Sequence, residues 1–300
     1  MKMPHRFAKT RAYRVILHAM ATTILVSRAS GGVFVDDFSG GLNGNYWLIE
    51  TSPPLYSVST TEGSVTFTKP WASDHTFQYA KLTSRMVASG AFDVQVDFRN
   101  ALLTLAGSGG ANQVELVCYM GGRTFFCIRS DEPSSGPSVH AWVYASGPVG
   151  GTFGWQSWEA TSGTLRITHN LTGRLSFWLD STLIYESANG FAFSPATFAV
   201  FLVNNGTHDA TSVTFDNFVL SADEISYPPL QLSAQRPSAD SILLSWPAYP
   251  PGYVLETTCD LTVPTLWQAV TNGLVITNGQ CFLTNTALKP AAFYRLRQGT

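Results

Sequence analysis

The segment Ser138-Val-His-Ala-Trp-Val-Tyr-Ala145 alternates His140, Trp142 and Tyr144 with Val139, Ala141, Val143 and Ala145. In an extended strand successive side chains point to opposite faces, so the polar aromatics fall on one side and the small aliphatics on the other. With the aliphatics toward a core, three rings that each carry a polar NH or OH line an outer face. Flat rings stack on the C–H faces of a sugar while their NH and OH groups bond its hydroxyls, so this row suits carbohydrate recognition. The converse, with Trp142 and Tyr144 packed inward, stays open. Trp71, Arg85 and Trp155 are further candidate ligand contacts. Arg85 ends a second outward polar row, Tyr79, Lys81 and Thr83, backed by Ala80, Leu82 and Met86, and Trp71 lies in the polar loop with Asp74 and His75 that precedes it. Trp155 and Trp158 stand in Gly150-Gly-Thr-Phe-Gly-Trp-Gln-Ser-Trp158, which reads as a Gly-rich rim loop, a common seat of specificity. The alternative is a wrap-around loop that buries both indoles.

Other chemistries leave no trace. There is no Gly-x-Ser-x-Gly elbow, P-loop or dinucleotide-binding glycine motif. The six His are scattered and no Cys-x-x-Cys occurs, which argues against a zinc site. His75, His140, His169 and His208 are expected to be polar surface groups. Cys118 and Cys127 flank a hairpin. If Gly122-Arg123 form the centre of a type II′ turn, the two cysteines face each other within disulfide geometry. Cys259 and Cys281 would then be a second pair; four buried free thiols are the alternative.

The elements that position these residues are strands. Phe92-Asp-Val-Gln-Val-Asp-Phe98 alternates perfectly, with the acids Asp93 and Asp97 on the polar side. Similar runs occur at 63–69, 78–86, 114–120, 124–130, 138–145, 163–170, 175–180, 196–204 and 212–220. No credible amphipathic helix interrupts them, so the fold class is all-β, an antiparallel sandwich. Three hundred residues fit one large sandwich plus a smaller module. Only 13% of residues are charged and the net charge is −2, which offers nucleic acid or anionic lipid no attraction.

Lys2, Arg6, Lys9, Arg11 and Arg14 precede the mostly apolar stretch Val15 to Val26, and Ser27-Arg28-Ala29 supplies small residues at a cleavage site. Residues 1–29 are thus expected to be a signal peptide, which makes the destination extracellular or the cell surface. An uncleaved anchor is the alternative. No later stretch is long and apolar enough to insert in a membrane.

Two motifs bound the large domain: Val33-Phe-Val-Asp-Asp-Phe38 with Trp47, and Val213-Thr-Phe-Asp-Asn-Phe-Val-Leu220. Both are expected strands, and strands that open and close one β-domain often pair. Together they resemble the flanking strands of the concanavalin A-like lectin/glucanase (laminin G-like) jelly roll. The hairpin Gly163–Asn170 and Gly173–Thr182 is similar to that family's, with Asp180-Ser181 where the family has Asp-Gly. The resemblance covers residues 30–224 and implies a jelly-roll β-sandwich that binds or processes a glycan. Glucanases of this fold carry a strand Glu-x-Asp-x-(x)-Glu. Here none of the eight Glu has Asp two residues on. Glu115 is the only one within a clear strand of this domain, with Val117 and Tyr119 at the partner positions. A scattered pair, Glu115 with Asp93, Asp97 or Asp180, is the remaining enzymatic option. The resemblance also implies a structural Ca²⁺ held by Asp216, Asp36 and Asp37, oxygen ligands of the kind calcium takes.

After Ser226-Tyr-Pro-Pro-Leu, residues 225–300 run Leu-x-Trp246-Pro, Tyr253-x-Leu-Glu, Leu-Trp267 and Phe293-Tyr-Arg-Leu-Arg297. They resemble the fibronectin type III-like modules that end many secreted bacterial proteins, which implies a small β-sandwich spacer with Trp246 in its core. The expected function is non-catalytic recognition of a neutral polysaccharide. A glycan-active hydrolase and an adhesion or matrix protein are the other two readings.

Overall fold

A computed structural model describes residues 31–52, 56–61, 63–72, 77–103, 110–132, 136–145, 150–206, 208–238, 241–248, 252–262, 266–277, 280–286 and 292–298. The expected signal peptide, Asp74 and His75 lie outside the described residues. The chain divides between Pro229 and Leu230 into two compact units.

The larger unit holds fifteen strands. In chain order they are β1 Gly32–Asp36, β2 Trp47–Ser52, β3 Ser57–Thr60, β4 Val65–Lys69, β5 Gln78–Ser84, β6 Val87–Leu102, β7 Ala111–Met120 and β8 Arg123–Glu132. Then come β9 Gly136–Ala145, β10 Gly150–Ser157, β11 Gly163–His169, β12 Leu175–Leu179, β13 Thr182–Glu186, β14 Ala196–Asn205 and β15 Thr211–Ser226. Among the described residues there is no helix, and every ladder is antiparallel. One layer runs β2-β5-β14-β7-β8-β9-β10. The other runs β13-β12-β11-β6-β15, with β1 and β4 sharing the far side of β15 and β3 outside β4. A single pairing, Ala196 with Ala88, joins the two layers.

Alternation builds the core between them. Ala80, Leu82 and Met86 on one side and Phe92, Val94, Val96 and Phe98 on the other are all essentially buried. Across the layers Phe92 and Phe198 pack edge to face at 5.1 Å, the geometry aromatic pairs prefer. The two bounding motifs pair directly, Val35 opposite Val219 and Asp36 opposite Phe218. Trp47 seals that end: its ring lies 4.9 Å from Phe218 and its Nε1 donates to Asp36 Oδ2 at 2.7 Å.

Four expectations need correction. The β7–β8 turn is Gly121-Gly122, both with positive φ (58° and 71°) as a type I′ turn requires. Met120 therefore faces Arg123, Cys118 faces Phe125, and Cys127 faces Leu116. The two cysteines share a face but are not opposed, and all four cysteines are free thiols. The segment 150–157 is not a loop but edge strand β10. Its Gly154 is needed because a Cβ there would come within 2.5 Å of Ile184 O, so glycine marks a close approach rather than a turn. His169 is not a surface group: it is buried beside Phe92 and Phe193, with Nε2 3.2 Å from Phe191 O. Finally, the calcium ligand set does not converge. Asp36 points inward with Phe34 and is held by Trp47 and Phe38, whose N–H donates to Oδ1 at 2.8 Å. Asp37 accepts from Ser39 N, and Asp216 lies on the outer side, ion-paired to Arg99 at 2.8 Å. Among the described residues no trio of His, Cys, Asp or Glu forms a metal site.

Burial pushes the Cys118 thiol well above its ordinary value and the Cys127 thiol up to about 12. Under native conditions a thiol reagent should therefore modify the exposed Cys259 and spare Cys118 and Cys127. Mass spectrometry should find all four modified only after denaturation. Isolation of a linked 118–127 or 259–281 peptide would reinstate the disulfides.

The smaller unit carries β16 Ser233–Ser238, β17 Ser241–Pro247, β18 Tyr253–Thr258, β19 Gln268–Ala269, β20 Leu274–Thr277, β21 Gln280–Thr286 and β22 Phe293–Gln298. They form the sheets β16-β17-β21-β20 and β19-β18-β22. Leu244, Trp246, Leu255, Cys281 and Leu283 make their shared core. Glu256 on β18 takes Arg295 and Arg297 from β22.

Candidate functional site

In antiparallel ladders directly opposed residues share a face, so register alone assigns the outer surface of the first layer. One row crosses all seven strands: Glu50, Lys81, Phe201, Glu115, Ile128, His140 and Trp155. At about 4.8 Å per strand it spans roughly 29 Å. The next row is Leu48, Thr83, Ala199, Val117, Phe126, Trp142 and Thr152, and beyond it Thr197, Tyr119, Thr124 and Tyr144 line up.

His140, Trp142 and Tyr144 thus occupy register positions of the outer face, and Val139 and Ala141 are fully buried behind them. The side chains of His140, Trp142 and Tyr144 lie outside the described residues. Trp155, directly opposite His140, is 53% exposed. Arg85 and Trp71 do not join them: they flank opposite ends of β5. Arg85 follows the strand and its N–H donates to Tyr46 O at 2.7 Å. Trp71 is 65% exposed and stacks on His208 at 5.9 Å.

On the other half of the face the sequence shows the outward row of Tyr79, Lys81 and Thr83 but not the ring and the acid that meet it. Phe77, Tyr79 and Phe201 form a chain of rings with successive centroids 5.9 Å apart. Lys81 Nζ lies 5.7 Å from the Phe201 ring and 5.9 Å from Tyr79, within cation–π range, and is ion-paired to Glu50. Phe201 was hidden in Ala196–Val203, where inner and outer positions are both apolar. A paired Glu50–Lys81 could have been found only from the β2–β5 register.

Glu115 sits at the middle of the row, 6% exposed. Among the described residues no cation and no hydrogen-bond donor pairs with it. Burial, with no compensating charge, pushes its carboxyl up to about 8. The acids expected as its partners are elsewhere. Asp93 and Asp97 face outward from the other layer, across the core. Arg166 holds Asp93 through Nε at 2.8 Å, and Asp97 accepts from Thr164 and Asn217. Asp180 accepts from Thr164 N at 2.8 Å in the β12–β13 turn, at φ 53°.

No family model matches the sequence, and no curated protein matches it. Solved structures do match, over somewhat less than two thirds of the chain. One, described in connection with endo-acting O-glycanases that prominent human gut microbiota members express to initiate mucin breakdown, is 13% identical with a TM-score of 0.51, covering 63% of this chain and 98% of that one. The Bacillus licheniformis β-glucanase is 14% identical with a TM-score of 0.49, over 65% of this chain and 99% of that one. The Emp46p carbohydrate recognition domain, in a potassium-bound form, is 14% identical with a TM-score of 0.46, over 63% and 96%. The all-β antiparallel jelly roll of this chain is the fold it shares with the first of these structures.

Proposed function

We propose that the chain is an exported, lectin-like protein that recognises a neutral polysaccharide on the outer face of its seven-stranded layer. The observation that carries this reading is the row from Glu50–Lys81 to Trp155. Together with the rows beside it, it sets stacking rings and hydroxyls along one extended face, and the cation of the row, Lys81, is already paired to Glu50. Such a surface suits a long neutral chain better than an anion. On this reading residues 1–29 direct export, and residues 225–300 are a fibronectin type III-like spacer without chemistry of their own.

A hydrolase of the same fold is disfavoured by spacing. Glycosidase carboxylates stand about 5–9.5 Å apart. The nearest acid along the Glu115 row is Glu50, three strands away at about 14 Å, and Lys81 neutralises it.

A glycan array with residues 30–300, with reducing-end release assayed on each hit, tests the proposal. Neutral polysaccharides should bind and no new reducing ends should appear. Trp142→Ala should weaken binding about tenfold or more, as loss of a stacking indole does at a hot spot, while the far-UV spectrum is unchanged. Unchanged affinity in the folded variant would remove the β9 row from the site, and unfolding would place the ring in the core.

A further inference from the structure

We propose that Glu115 is the floor of the glycan site and contacts the bound sugar as a neutral carboxyl, donating its proton to a hydroxyl or ring oxygen. The inference rests on the glycan-face reading and adds the hydrogen-bonding role that selects a neutral sugar.

Three observations carry it. Glu115 is central in the row, with Phe201 and Ile128 directly beside it and Val117 two residues on. It is nearly buried, yet no described group bonds it, so an O–H there is left for whatever covers the face. Its carboxyl oxygens are not among the described side-chain atoms that are fully buried without a partner, which leaves them open to a ligand on the face. Its surroundings also favour the acid form. The nearest cation of the row, Lys81, is two strands away and bound to Glu50. Neither β14 nor β8 contributes an ionisable group to the row. Burial accordingly holds the carboxyl up to about 8. Tyr79 and Tyr119 share the face, with burial raising Tyr119 above the tyrosine range. His140 and Tyr144 take register positions on β9, and Glu132 ends β8. An ionised carboxylate at this spot accepts hydrogen bonds only, whereas the neutral acid both donates and accepts.

The test measures affinity for a soluble β-glucan, a galactomannan and a xylan between pH 6.5 and 9.5, with the fold followed by circular dichroism at each pH. The window lies above most histidine titration and below ordinary tyrosine titration. The wild-type chain should lose binding about tenfold or more across it while still folded. Glu115→Gln, which keeps a donor and never ionises, should bind with little pH dependence. Glu115→Leu, which lacks a donor, should bind weakly throughout. Wild-type binding that does not change with pH overturns the inference and leaves the glycan face standing. So does a Glu115→Gln variant that loses binding in parallel with wild type. No binding to any of the three polymers at pH 6.5 overturns the glycan face itself, and the inference with it.

Discussion

Trp47→Ala should destabilise the larger unit by about 4 kcal/mol, near the upper range for a buried aromatic. The indole is 2% exposed and contacts rings from three directions: Phe34 at 6.4 Å, Phe38 at 5.7 Å and Phe218 at 4.9 Å. Its removal leaves a cavity between the opening and closing strands and strips Asp36 Oδ2 of its donor. Asp36 is itself buried enough that desolvation raises its carboxyl above the usual range, so the lost bond is not readily replaced by water. Trp47→Phe separates the two effects. It keeps one aromatic ring in the cluster while removing the N–H and the smaller part of the indole, and should cost about 1–3 kcal/mol. Urea denaturation of the full chain, with hydrogen exchange followed in peptides from β1 and β15, provides the measurement. A loss below about 1 kcal/mol for Trp47→Ala would show that the two bounding strands hold without this cluster.

That cluster is also where the sequence was most legible. Asp36, Trp47 and Asn217-Phe218 are recognisable as a pattern because they make a bond and a stack that other residue types do not reproduce. Asn217 adopts φ 47°, a left-handed turn of the chain that asparagine tolerates, at the irregularity between Asp216 and Val219. Strands with one wet face, such as β5 and β6, announced their sides through alternation. Strand β14 announced neither side over most of its length, since Phe198, Val200 and Leu202 alternate with the equally apolar Ala199, Phe201 and Val203. Glycine misled twice for one reason: it carries no label for why it is there. Gly121-Gly122 shifted the expected turn by one residue, which in a ladder moves every opposed pair and undid the Cys118–Cys127 match. Gly154 serves a close backbone approach, although the glycine-rich sequence around it reads as a loop. The outward row of β5 is legible by alternation, but its meeting with Phe201 of β14 and Glu50 of β2 is not, because that depends on register across strands distant in sequence. Glu115 was noticed only as an incomplete catalytic strand; its isolation from Asp93 and Asp97 follows from which layer each occupies.

Glu115 should also make the ligand-free protein less stable in mild alkali. Folding lifts its carboxyl from an ordinary 4.5 to about 8 through burial. Between those values the folded chain holds a proton that the unfolded chain has released, so stability falls as pH rises. The contribution is fully present below about pH 4.5 and gone above about pH 8, a swing of roughly 4–5 kcal/mol at 1.4 kcal/mol per tenfold. Against a total of about 5–15 kcal/mol for a domain, such a swing is large. Other groups titrate too, so the diagnostic is the difference between proteins. Denaturant midpoints measured at pH 5 and pH 8.5 should drop steeply for wild type and far less for Glu115→Gln, whose amide cannot ionise. The variant should be less stable than wild type at pH 5 if the amide packs poorly, and more stable at pH 8.5, so the two curves should cross. Parallel curves would mean that the carboxyl ionises freely in the folded protein. The alkaline loss would then come from elsewhere, because an ionised Glu115 with no bonded partner persists only where water reaches it.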